Sequence, residues 1–328
     1  MFCQTLQRFI LHAQNLRRLN NMELNQIDKD LLLTIADLHD IPTGAYNIRK
    51  DGKLVSRSNN ANIEIVSKTD KPGIDIFVKK GTKNQSIHIP VIVSEAGFKD
   101  LVYNDFYIEE DCDVTIVAGC GIACGSSEDE GHDGIHSFHV KKGSKVVYVE
   151  KHYAMGNGTG KRTLNPVTNV VMEKDSYMKM ETVQIGGVTY SVRNTNAVLG
   201  DGAKLDINEK LMTSDDEYAE TNFNVDLNGK DSSTHVVSRA VAKNNSKQIY
   251  TSVINGNNQC FGHTECDAII MDNANIVAKP ELTAKCTDAS LIHEAAIGKI
   301  AGEQIVKLQT LGLSESEAEQ EIINGFLK

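Results

Sequence analysis

Six side chains able to bind a soft or borderline metal crowd into one stretch: Cys112, Cys120, Cys124, His132, His136 and His139. Thiolate sulfur suits zinc, copper(I) or an iron–sulfur cluster, and imidazole suits zinc or iron. The run Ala118-Gly-Cys-Gly-Ile-Ala-Cys-Gly-Ser-Ser reads as a glycine-rich loop whose backbone can bend Cys120 and Cys124 toward one ion. Strand parity prunes the set. With Ile135 to Val140 extended, His136 and Val140 share one side and His139 takes the other, so His136 and His139 do not share a metal. His132 falls in the acidic turn before that strand and is free to reach. Cys112 alternates with Val114 and Ile116 and reads as a small buried residue. The bland alternative is thiols and imidazoles at strand ends with no metal, because Cys-x3-Cys with His is a weaker signal than paired Cys-x2-Cys units.

Three further places invite chemistry. Cys260-Phe-Gly-His-Thr-Glu-Cys266 offers Cys260, His263 and Cys266, but Cys266 shares the parity of Ala268 and Ile270 and is expected in the core. Cys286 carries no pattern. His293 and Glu294 are adjacent, so on a strand they face opposite sides, and Glu294 is placed to cap the following turn or to pair with Lys299. Met155-Gly-Asn-Gly-Thr-Gly160-Lys161-Arg162 resembles a phosphate-binding loop and fails at both ends. Met155 replaces the first glycine and Arg162 the hydroxyl, and Leu164-Asn165-Pro166 follows where a helix must aim its amides at phosphate. If ATP is used, another chain supplies it.

These groups need a frame. The 328 residues allow one large domain or two to three smaller ones. The 34 basic and 44 acidic side chains make nucleic acid and anionic membrane poor partners. No apolar run reaches the ~18 residues of a membrane span, and the N-terminus lacks a signal-peptide core, so the expected location is cytoplasmic. Seven scattered cysteines then read as reduced thiols. Residues 1–45 carry helical spacing: Leu6, Phe9, Ile10, Ala13 and Leu16, then Leu31, Leu32, Ile35, Ala36 and His39. Residues 46–287 carry short alternating runs around tight turns: Phe138, Val170, Ala197 and Ala268 open similar units, similar turns fall at Gly229-Lys230 and Asn244-Asn245, and the spacing is commonly about 26–32 residues with one shorter step. That period belongs to solenoids, in which stacked units bury one aliphatic column. An antiparallel sandwich is the competing reading. Residues 288–328 return to helix, with Gly312 at a C-cap and Ser314-x-x-Glu317 as a capping box.

The tail Ile292-His-Glu-Ala-Ala-Ile-Gly-Lys-Ile, then Gly302-Glu-Gln-Ile, Thr310-Leu-Gly-Leu-Ser-Glu-Ser-Glu-Ala and Ile322-Ile-Asn-Gly-Phe resembles the C-terminal signature of the SufB/SufD family of iron–sulfur cluster assembly proteins. Val102-Tyr-Asn-Asp-Phe, Ala118-Gly-Cys-Gly-Ile, Asp133-Gly-Ile-His, Tyr148-Val-Glu-Lys-His-Tyr and Met180-Glu-Thr-Val-Gln resemble its short SufB-like branch, in the family's order. The resemblance starts at about Met22. It implies a mainly β fold, a right-handed parallel β-helix flanked by helical segments. It also implies dimerisation through the β-helix, here a homodimer, and docking of the C-terminal helices on an ABC-type ATPase, SufC. His293 and Glu294 fall on the family's His-Glu, where the Glu is a proposed cluster ligand. The functional cysteine of longer SufB proteins falls near Asn273-Ala274-Asn275, where this chain has no thiol.

The resulting expectation is a non-catalytic scaffold or adaptor. It receives sulfur from a cysteine desulfurase system, holds a transient iron–sulfur cluster and couples assembly to a partner's ATP hydrolysis. Cys120, Cys124, Glu294 and His293 are the candidate cluster ligands, with His132 or His136 adding one. Two rivals stand beside it: a zinc enzyme using His132, His136 and a cysteine, and a SufD-like adaptor without its own cluster.

Overall fold

The computed structural model describes residues 24–38, 42 and 44–328. Cys3, His39 and the apolar pattern from Leu6 to Leu16 lie outside the described residues. Among those described, twenty strands form two sheets. The first runs β2 (Lys53–Ser58), β1 (Ala45–Lys50), β5 (Lys83–Val93), β7 (Asp113–Ala123), β9 (Lys145–Met155), β12 (Tyr177–Ile185), β14 (Lys204–Thr213), β16 (Ser232–Ala242), β18 (Cys260–Ile270), β20 (Ala289–Gly298). The second runs β3 (Ile63–Ser67), β4 (Gly73–Val78), β6 (Lys99–Ile108), β8 (Glu130–Val140), then β10 (Arg162–Leu164) and β11 (Val167–Met172) on one level, β13 (Tyr190–Leu199), β15 (Tyr218–Leu227), β17 (Lys247–Gly256), β19 (Asn275–Ala284).

From β4 onward the chain alternates between sheets, so each coil gives a strand to each, and the pairings between coils are parallel. The antiparallel pairs β1–β2 and β3–β4 are confined to the N-terminal end. This is a parallel β-solenoid, and the sandwich alternative is excluded. Residues stack on partners 27 to 32 positions away, Tyr177 on Lys204 and Asp113 on Lys145. One register column, Phe138-Val170-Ala197-Val225-Ile254, shows the core in miniature, with every member buried. Each large aliphatic chain so buried contributes about 1.5–3 kcal/mol. The corners need left-handed backbone. Gly143, Asp175 and Gly202 take φ of 69°, 56° and 64° at one corner, and Asp215, Asn244 and Asp272 take 50°, 56° and 56° at the opposite one. The Ala268 unit therefore turns from the first sheet to the second, whereas the Phe138, Val170 and Ala197 units turn the other way. Shared turn chemistry, not shared position, makes the four look alike.

The first helix, α1 (Gln26–Ala36), is opened by a capping box between Asn25 and Asp28. It lays Leu31, Leu32 and Ile35 on the outer face of the first sheet. The glycine run explains its seat. Residues 118–122 are strand rather than loop, with Ala118, Cys120 and Ile122 turned inward and Gly119 and Gly121 turned out. A Cβ on Gly119 would lie 2.6 Å from the Ile35 carbonyl oxygen, and one on Gly121 would lie 2.9 Å from Leu31 Cδ2. These glycines are a groove for a helix, not hinges for thiolates.

Helix was expected from residue 288, but the solenoid continues through β20, and the C-terminal helices are α2 (Gly302–Gln309) and α3 (Glu315–Phe326). β20 continues the in-register stacking on β18, so the alternation of Leu291, Ile292, His293 and Glu294 belongs to a strand. Gly312 (φ 98°) and the Ser314–Glu317 capping box sit where expected. Helix α3 anchors through Ile323 and Leu327 on Val241. Helix α2 buries no residue, and Val306 stands exposed with Leu311 just beyond it. No described helix is long and apolar enough to cross a membrane.

Candidate functional site

Potentially reactive groups collect in two places. The first is inside the solenoid beneath α1. Because β8 starts at Glu130, His132 is in the strand, not in a turn, and it shares the inward face with His136. His139 faces outward, stacked on Tyr107, as parity required. Tyr148, Glu150 and His152 alternate inward from β9, and Arg193 enters from β13. His136, Tyr148, Glu150, His152 and Arg193 form one hydrogen-bonded chain with Asn104, while His132 stands outside it, its Nδ1 buried without a hydrogen-bond partner. Asn104 Nδ2 donates to His136 Nε2 (3.2 Å), His136 Nδ1 lies 2.7 Å from the Tyr148 hydroxyl, and that hydroxyl donates to Glu150 Oε1 (2.9 Å). Arg193 donates to the other Glu150 oxygen and to His152 Nδ1 (3.1 Å).

Burial pushes the Glu150 carboxyl up, yet the Arg193 guanidinium, helped by His152, overcomes it and holds Glu150 well below the usual carboxylate range. Burial lowers His136 to about 4, so its ring is neutral at pH 7. Both of its nitrogens are engaged, which leaves no lone pair for zinc. Cys120 lines the same small void, about 20 Å³, with His132 and His136. That is room for one water and no more. Burial, then the charges of Asp100, Glu150 and Asp133, keep the Cys120 thiol protonated.

Cys124 does not join them. It lies four residues beyond Cys120, about 13 Å along extended chain. Its sulfur sits near the carbonyls of Ser126 and Gly160, at 3.6 and 3.8 Å. The phosphate-loop look-alike wraps this corner with no helix behind it. Its Gly160 is there for room, since a Cβ would lie 1.7 Å from the Glu128 carbonyl oxygen. Glu294 is six strand spacings from β7 across the first sheet, roughly 29 Å. The expected ligand set is thus divided within the chain: Cys120, His132 and His136 meet, while Cys124, His293 and Glu294 stay apart from them. The zinc-enzyme alternative loses His136 as a ligand and has no open coordination position in so small a void. Cys112 and Cys266 are core residues as expected, burial pushing Cys266 up to about 12.

The second place is the outer face of the first sheet at its C-terminal end. Glu294 projects outward from β20, its Oε2 3.5 Å from His263 Nε2 on β18, and it neither caps a turn nor reaches Lys299. His293 takes the opposite face, toward the half-covered mouth of the last coil, paired in register with Thr264. His235 on β16 lies beside His263, and Glu265 beside Glu294. Sequence reasoning passed over His235 and Glu265. The signal was present, because His235 and His263 are 28 residues apart, one coil. It also passed over Glu150, His152 and Arg193, although Tyr148-x-Glu150-x-His152 has the parity of one buried strand face.

Fold and site together define a class: a two-sheet parallel solenoid, sealed by a polar network at one level, with a charged outer face and helices at its open end. The SufBD core domain model of the SUF system for FeS cluster assembly matches residues 102–326. The chain belongs to this SufBD family, and membership supports a role in iron–sulfur cluster assembly. It is 30% identical over 242 residues to the iron-sulfur cluster assembly SufBD family protein of Methanothermobacter thermautotrophicus strain Delta H, covering 72% of this chain and 57% of the relative. Similarity to the SufBD family protein of Methanocaldococcus jannaschii is 26% over 289 residues, covering 87% and 90% of the two chains. The iron-sulfur cluster assembly protein SufB of Bacillus subtilis strain 168 is 23% identical over 282 residues, covering 84% and 59%. The chain thus spans little more than half of the Methanothermobacter relative.

Proposed function

We propose that this chain is the scaffold or adaptor of a SUF-type complex, joining a second copy of itself at the open end of the solenoid and an ABC-type ATPase at the C-terminal helices. The observation that carries this reading is the unfinished last coil. Strands β19 and β20 have ten residues each, pair on one edge only, and leave Val277, Leu282, Ile292 and Ile297 partly exposed. An open strand edge of this length is a template for another strand, β20 more than β19, whose Lys279, Pro280 and Glu281 blunt it. The opposite end is finished by hairpins. Helix α2 supports the ATPase half: it packs on α3, buries nothing of its own and presents Val306.

The iron–sulfur cargo belongs at this end, where Glu294 is exposed. Of the nearby thiols among the described residues, the half-buried Cys286 is the single one left, and one thiol does not complete a ligand set in one chain. Cys266 points into the core, and burial, with a smaller push from Cys286, keeps Cys260 protonated. Thiolates for the cargo then come from across the interface or from the sulfur donor, and the reading leans toward the adaptor role. Coexpression with a SufC-like ATPase, followed by size-exclusion chromatography with light scattering, tests it. A complex containing two copies of this chain, lost on deleting residues 302–328, is expected. A monomer both with and without the ATPase overturns it.

A further inference from the structure

We propose that His235, His263 and Glu265 form a binding site for a divalent first-row transition-metal ion on the outer face of the first sheet. The parallel register sets His235 directly beside His263, and their rings stack at 4.8 Å and 6°. Glu265 follows His263 by two residues and so shares its face. One ligand atom from each of the three lies within 4.8 Å of the others. An ion about 2.1 Å from each nitrogen sets two nitrogens about 3.3 Å apart, so closure takes only side-chain rotation.

Two independent features point to a cation. His263 Nε2 is buried and has no hydrogen-bond partner. Glu265 and Glu294 are register neighbours on adjacent parallel strands, an arrangement that repels. No lysine or arginine forms an ion pair with either carboxylate among the described residues. A divalent ion answers both the unpartnered nitrogen and the repulsion, with Glu294 as a flanking oxygen. Two imidazoles and a carboxylate, without thiolate, are a ligand set suited to Fe(II) and its neighbours rather than to copper(I). Unlike the buried histidines under α1, His235 and Glu265 border a surface groove of about 450 Å³ that also carries Arg239 and Lys210. An ion arrives from solvent without opening the fold.

The site shares Glu294 with the assembly reading but stands on His235, His263 and Glu265, and it is tested without sulfide or ATPase. Purified full-length chain is stripped with chelator and titrated anaerobically with Co²⁺ alone, followed by visible d–d absorption and by equilibrium dialysis. One ion per chain, with no thiolate charge-transfer band, is expected. His263→Ala and Glu265→Gln each weaken binding at least tenfold, and so does His235→Ala, which alters an exposed residue and leaves the thermal unfolding curve in place. Unchanged affinity in His235→Ala, no binding by the wild type, or a spectrum dominated by thiolate charge transfer overturns the site.

Discussion

The level beneath α1 and the last coil hold similar side chains and use them in opposite ways. Under α1, Glu150, Arg193, His136 and His152 are buried and bonded to one another. At the last coil, Glu294 is exposed and Glu265 and His263 are half-buried, with His263 Nε2 lacking a hydrogen-bond partner and neither carboxylate paired with a lysine or arginine among the described residues. The first arrangement spends its donors and acceptors on holding coils of different length together. The second leaves them for something that is not part of the chain. Residue type alone does not separate a structural histidine from a ligating one. Occupied ring nitrogens set His136 apart from His263, and His132, whose Nδ1 is also unpartnered, is set apart by a void of only about 20 Å³.

The contrast is sharpest for charge removal. Arg193→Ala strands Glu150 in the interior and is expected to destabilise the fold by about 3–5 kcal/mol, measured by urea denaturation. A loss below ~1 kcal/mol would show that the interior pair is not sealed. A pH series follows. His136 titrates at about 4 folded and near 6.5 unfolded, so the unfolded state takes up the extra proton between those values. Its contribution is complete above pH 6.5 and falls by roughly 3 kcal/mol as pH drops to 4. Stability measured from pH 7.5 to 4 has a steep limb there, and His136→Gln flattens it; an unaltered slope in the variant means other groups produce the limb.

Smaller effects probe the thiols and the surface. Cys120→Ala removes one buried sulfur and is expected to cost about 1 kcal/mol, with iron and sulfide uptake in anaerobic reconstitution unchanged. Lost uptake would return Cys120 to the ligand set. Glu294→Gln is expected to move stability by less than ~0.5 kcal/mol, as exposed changes do, while lowering iron retained by the complex with its ATPase. If Glu294→Gln destabilises the chain as much as Arg193→Ala, the two regions do not differ in kind.

Much of the architecture was legible because it is written locally. The 26–32 residue period, the Gly/Asp/Asn corners, the Ser314 capping box and the opposite facing of His136 and His139 each depend on a few adjacent residues. The glycine run at 118–122 was misread because glycine serves both a loop and a close approach, and Leu31 and Ile35, which it accommodates, are over eighty residues away. Likewise the end of the solenoid was placed too early. Strand β20 alternates weakly, since its outer edge has no neighbour to bury it.

Chain chemistry by itself settled that units stack, how long each is and where they turn, since backbone dihedrals and side-chain parity are properties of neighbouring residues. Which ionisable groups meet was decided only by register between coils. A pairing such as His235 with His263, or Glu150 with Arg193, joins residues 28 or 43 apart, and a shift of one residue in either strand would turn one partner to the other face. That register is set by the packing of the whole aliphatic column, so the site appears only when the column is complete.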